Sequence, residues 1–288
     1  GAFALDTATT ADSNVAVGTA ALTSATTGGT NVAVGDQALS AVTTSTANTA
    51  VGHNALLNNT GGNNTAVGSA AMDANTTGEE NTAVGDGALG ANTTANQNVA
   101  VGARALLTNA TATRNTAVGY AALEDAISAN NVAVGWKALT NSTTGQQNVA
   151  VGDSCMSNTT TGIQNTAIGQ DSMASNTTAS QNTAIGAITL DANTTGAGNV
   201  AVGYGALTGN TTASFNVAVG YNALDACTTG APNVAIGVNA GGSCSTGSQN
   251  VFVGGVAGNS VTTGGNHLLL GYNSGNSGSP GGAITTGN

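Results

Sequence analysis

Apolar residues in this chain come in short runs, Val/Thr-Ala-Val/Ile, each preceded by Asn and stopped by Gly. The five-residue phrase recurs sixteen times, starting at Asn14, Asn31, Asn48, Asn64, Asn81, Asn98, Asn115, Asn131, Asn148, Asn165, Asn182, Asn199, Asn216, Asn233 and Asn250, with a degenerate copy at His267. Thirteen of the fifteen spacings are 17 residues and two are 16, the mark of one small unit stacked many times. With the Asn as position 1, position 5 is always Gly (Gly18 to Gly271) and position 4 always aliphatic (Val17, Ile168, Leu270). Position 3 is Ala except at Phe252 and Leu269, position 8 is small, and position 9 is Leu or Met in thirteen copies.

A β-branched run stopped by Gly predicts a short strand, and positions 6 to 9 are expected to form a second one. Positions 12 to 15 read Asn-Thr-Thr-Gly or Asn-Thr-Thr-Ala (75–78, 92–95), which is turn chemistry, because Asn and Gly tolerate left-handed backbone. Helices are excluded: Val, Thr, Asn and Gly are weak helix formers and no window is long enough. Coils of 17 residues stacked at about 4.8 Å satisfy these constraints. The expected fold is therefore an all-β parallel β-solenoid, or β-roll, of about sixteen coils. Positions 4 and 9 are the expected core, and position 2 shares the face of position 4 by alternation. The Ala at position 3 is expected on a face that approaches something closely, such as a neighbouring chain. One aliphatic and one Leu per coil make a thin core, so stacking is obligatory and packing between chains, as a trimer, is expected to help.

Residues 1–232 are the regular repeats. In 233–273 the repeats turn atypical: position 9 becomes Gly241, Gly258 and Gly275, and the Leu column is expected to taper out. Residues 274–288 read as a linker or transition segment. Gly1, Ala4 and Leu5 occupy positions 5, 8 and 9, so the chain opens in mid-repeat, as expected of a processed or partial product.

Charge narrows the function. Only 6% of residues are charged, the net charge is −10, and three basic residues (Arg104, Arg114, Lys137) cannot track a phosphate backbone, so no nucleic acid partner is expected. No run of 18 apolar residues exists, so this segment is not expected to insert in a membrane. A neutral, Thr/Asn/Gly-rich surface suits an extracellular setting. His53 and His267 lie far apart, no metal-ligand spacing occurs, and neither catalysis nor a cofactor or metal is expected. The GxGxxG string 85–90 arises from the repeat, with no helix to follow it.

Two features stand out once every residue is placed in register. All four Tyr and the one Trp fall at position 6: Tyr120, Trp136, Tyr204, Tyr221 and Tyr272. They form either a contact ridge for sugar rings or a partner, or a corner that tolerates any side chain. Cys227 and Cys244 both occupy position 12 in successive coils. Stacking holds their Cα atoms within disulfide range, and a bond or two stacked free thiols are the alternatives. Thr pairs at positions 13 and 14 raise an ice-binding array as an alternative function, although consecutive residues diverge at a turn.

Asn233-Val234-Ala235-Ile236-Gly237 resembles the head repeat of trimeric autotransporter adhesins of the YadA type. The stretch 115–123, Asn-Thr-Ala-Val-Gly-Tyr-Ala-Ala-Leu, resembles the arrays of phage tail fibres. The resemblance covers residues 1 to about 272 and implies a left-handed roll in a homotrimer. It also implies a structural and adhesive role at a cell surface or virion, with self and a surface glycan or receptor as partners. A self-polymerising secreted fibril, growing end to end, is the competing expectation.

Overall fold

The computed structural model describes residues 1–276, so most of the 274–288 segment read as a linker lies outside the described residues. The fold is an all-β parallel β-solenoid, and no helix occurs among the described residues. It divides into two compact units, Gly1–Thr144 and Gly145–Asn288. The first carries β1 (Val15–Val17), β2 (Val32–Val34), β3 (Thr49–Val51), β4 (Thr65–Val67), β5 (Thr82–Val84), β6 (Val99–Val101), β7 (Thr116–Val118) and β8 (Val132–Val134). The second carries β9 (Val149–Val151), β10 (Thr166–Ile168), β11 (Thr183–Ile185), β12 (Val200–Val202), β13 (Val217–Val219), β14 (Asn233–Ile236), β15 (Asn250–Val253) and β16 (Leu268–Leu270). Within each unit successive strands pair parallel and in strict register, Ala33 on Ala50 and Ala184 on Ala201.

The strand alternation is opposite to the expected one. Position 3 points into the coil and is fully buried (Ala50, Ala117, Ala184), whereas positions 2 and 4 point outward. The reason is width. A 17-residue coil is narrow, and the Leu at position 9 already fills its lumen, so the strand facing that Leu has room only for a methyl group. Ala at position 3 thus approaches the interior of its own coil. Position 9 is core as expected, with Leu22 through Leu224 fully buried.

Positions 6 to 9 form turns, not a second strand. In the coil from Asn31, Ala38 N–H donates to Gly35 O, Ser40 N–H to Gln37 O and Val42 N–H to Leu39 O, a run of overlapping β-turns. Gln37 (φ 57°) and Leu39 (φ 52°) are left-handed, and this recurs at positions 7 and 9 down the chain. Placing Leu there costs about 1–2 kcal/mol, while burying it gains about 1.5–3 kcal/mol, so burial wins by a narrow margin. The alternation lets Leu39 N–H reach Ala55 O of the next coil (3.1 Å), which keeps even the turns cross-linked along the stack. Gly at position 5 is required twice over. Its φ lies near +135° to +144° in the regular coils, and a Cβ there would collide with the position 5 carbonyl of the next coil.

The core does not taper after Leu224; it is re-dealt. Of the three coils with Gly at position 9, the last two carry a large residue at position 3. Phe252 is fully buried and its ring occupies the space that side chains on Gly241 and Gly258 would fill, while Leu269 fills the space at Gly275.

Candidate functional site

The Asn of the repeat phrase points inward. Asn182 is representative: its Nδ2 donates to Gly196 O at 3.0 Å, closing its own coil, and its Oδ1 accepts the backbone N–H of Asn199 at 2.9 Å. The same pair of bonds recurs along both units, for example at Asn64 and Asn81 in the first and Asn216 and Asn233 in the second. Each such hydrogen bond contributes about 1 kcal/mol net, and each buried group left without it costs about 1–3 kcal/mol. The ladder thus sets coil closure and stacking at once. It is also why the residue cannot be a surface turn Asn, the reading its position between turn and strand invites. A second inward amide column runs at position 12, where Asn75 Nδ2 donates to Asn59 Oδ1 (2.6 Å) and Asn92 Nδ2 to Asn75 Oδ1 (2.7 Å).

With position 3 committed inward, the strands display positions 2 and 4 to the outside. Each strand presents two outward residues, all of them Val, Thr, Ile or Leu, and none is charged. Several of them are exposed, from Val84 and Val101 at 36% to Leu270 at 59%, and the others are half-buried. All thirteen carboxylates instead fall at positions 6, 7, 10, 11, 16 and 17. The result in each unit is a ribbed β-branched face free of charge on an acidic chain.

Position 6 borders this face, one Gly beyond position 4. The four Tyr and the one Trp sit there exposed, with Tyr272 the most open at 83%. Tyr204 and Tyr221 stack on each other, centroids 5.4 Å apart and planes within 10°. The stack occupies one face of each ring. In the other unit, Lys137 Nζ lies 4.5 Å from the Trp136 ring centre. Arg104 pairs with Glu124 and hydrogen-bonds Tyr120, and both contacts raise its pKa, the Glu124 charge most. Tyr272 lies across Gly255, where an added Cβ would come within 3.2 Å of the ring.

Cys227 and Cys244 are buried free thiols, with Cys227 Sγ donating to Gly230 O at 3.2 Å. Burial, with the neighbouring Cys244 adding to it, pushes the Cys227 thiol up to about 12; burial raises Cys244 as well. Cys155, at position 8, is likewise buried and pushed up to about 12. The Thr column at position 13 spends its hydroxyls on the next coil's carbonyls, as Thr76 Oγ1 does to Thr93 O (2.9 Å) and Thr194 Oγ1 to Thr211 O (3.0 Å).

His53 Nε2 stands 3.7 Å from Asp36 Oδ2 on the exposed position 6 column. Among the described residues no group of three or more His, Cys, Asp or Glu is placed to hold a metal. Gly85, Gly87 and Gly90 lie in the turn segment, where Gly87 and Gly90 leave an open groove between Asp73 and Leu107. Among the described residues no helix is long and apolar enough to cross a membrane. No protein-family model and no curated protein matches this chain.

Proposed function

We propose that the chain is a structural and adhesive segment of an extracellular fibre. Copies of the solenoid associate side by side, most simply as a homotrimer, through the faces formed by positions 2 and 4. The uncharged, ribbed strand face carries this reading. A chain with a net charge of −10 repels its own copies except through a surface from which charge is absent. A second copy also has the same coil pitch, so every rung can meet a rung. Aliphatic residues left exposed or half-buried along this face are a standing hydration cost that a partner removes. The columns at positions 7, 10, 16 and 17, which vary from coil to coil, remain to make contacts with a receptor or surface. The coils themselves supply stiffness through backbone bonds and the Asn ladder, a mechanical role that needs no catalytic residue.

Sedimentation of the chain and of a Val84→Asp/Val101→Asp/Val118→Asp variant tests the proposal. The parent is expected at the mass of three chains and the variant at one, with unchanged β circular dichroism. A parent that stays monomeric at every concentration overturns it.

A further inference from the structure

We infer that the position 6 aromatics pin the axial register of the associated copies, an inference that rests on the self-association proposed above. Positions 2 and 4 carry little register information. Val or Thr at position 2 and Val or Ile at position 4 repeat in nearly every coil and are close in size, so sliding one copy by one coil replaces each contact with one of similar shape. Flat, repetitive surfaces slip for this reason unless a non-repeating group breaks the degeneracy. The aromatics are such groups. They are exposed, they border the strand face, and they occur in fixed blocks.

In the first unit, position 6 reads Asp36, His53, Ser69, Asp86, Ala103 and then Tyr120 and Trp136. In the second, Asp153, Gln170 and Ala187 precede Tyr204, Tyr221 and Val238, and Gly255 and Tyr272 follow. Each unit thus carries a pair of adjacent rings after a run of polar or small residues. A parallel, aligned copy keeps aromatic blocks level with aromatic blocks. A copy slipped by one coil sets Tyr204 level with Ala187, or Tyr221 level with Val238. The rings are also held in place before any partner arrives. Tyr204 and Tyr221 stack on each other, Trp136 carries Lys137 over its face, and Tyr120 is hydrogen-bonded by Arg104. Pre-ordered rings lose little freedom on contact, as expected of residues that select one arrangement.

Disulfide mapping between two tagged full-length chains reads the register. One chain carries Ser69→Cys and the other Asp86→Cys, both exposed at position 6 of adjacent coils, while the three native thiols are buried. Oxidation of the mixed parent is expected to cross-link each engineered site to its own kind, with pairs between the two sites at least tenfold rarer. Replacing Tyr120, Trp136, Tyr204, Tyr221 and Tyr272 with Ser is expected to keep the oligomer mass and bring the mixed pairs to parity. If that variant stays in a single register, the pinning role is overturned while self-association stands. If the parent is a monomer, self-association itself fails and the pinning role falls with it.

Discussion

Phe252→Ala is the sharpest probe of the re-dealt core. Phe252 is fully buried, and its ring takes the place of the position 9 side chains missing at Gly241 and Gly258. A Cβ built on Gly241 would lie 2.5 Å from the ring and 2.9 Å from Leu224, so the fit is close on both sides. Truncation leaves a cavity that no neighbour can fill, and such losses cost about 3–5 kcal/mol. Gly258→Leu alone overpacks the same space and costs about 1–3 kcal/mol or more. Combined, the two changes restore the Ala-plus-Leu arrangement of the regular coils, so the pair is expected to cost less than Phe252→Ala by itself. Long repeat arrays do not unfold in one step, so hydrogen exchange of amides in 233–266 is the suitable assay. At roughly 1.4 kcal/mol per tenfold change, Phe252→Ala should lower protection by about two to four orders of magnitude. Unchanged exchange in Phe252→Ala, or a double variant as poor as the two single losses added, would refute the size exchange between positions 3 and 9.

Asn182→Ala removes the amide that closes its coil, leaving the Asn199 N–H buried without its acceptor and Gly196 O with the Asn193 amide alone, for a local loss of about 1–3 kcal/mol. Exchange of the Asn199 amide checks it, and protection within a factor of three of the parent would remove the ladder from the account. A thiol reagent at mildly alkaline pH should find none of the three Cys in the folded protein and all three after denaturation, because burial holds Cys155 and Cys227 at about 12 and Cys244 above its usual value. Burial also raises the carboxyls of Asp73, Asp191 (where the Asp171 charge adds to it) and Asp225 above 3.8. A raised carboxyl favours the fold while protonated, and that contribution is lost as pH rises through the folded value. Local stability at these coils should therefore increase as pH falls from about 7 toward about 4. The trend should weaken in the Asp73→Asn/Asp191→Asn/Asp225→Asn variant, and an identical pH profile in parent and variant would reject it.

The period, the strand positions and the solenoid were legible in the residues because all of them are local. Gly, Asn and β-branched residues announce turns and strands wherever they stand. The face of each strand was not legible in the same way. Val is larger and more apolar than Ala, so alternation alone favours Val at position 4 as core. Only the width of the closed coil, with Leu22 or Leu39 already inside it, reverses the choice. The turn at positions 6 to 9 was hidden for a related reason, since Leu at φ near +52° is poor local chemistry paid back by burial. Phe252 opposite Gly241 and Gly258 was written in the sequence as two separate exceptions, and their complementarity appears once positions 3 and 9 are known to face each other. The aromatic column was found from register alone, yet the Tyr204–Tyr221 stack needed coordinates.

Side-chain footprinting of the native protein tests the central claim, that the outward strand face is covered by other copies. In a single chain Val84 and Val101 are exposed while Ala100 and Leu106 are fully buried. The account predicts that Val67, Ile168 and Ile185, outward at position 4, resist labelling in the native protein and become labelled in the Val84→Asp/Val101→Asp/Val118→Asp variant, with Ala100 and Leu106 protected in both. Equal labelling of Val67, Ile168 and Ile185 in parent and variant would contradict it.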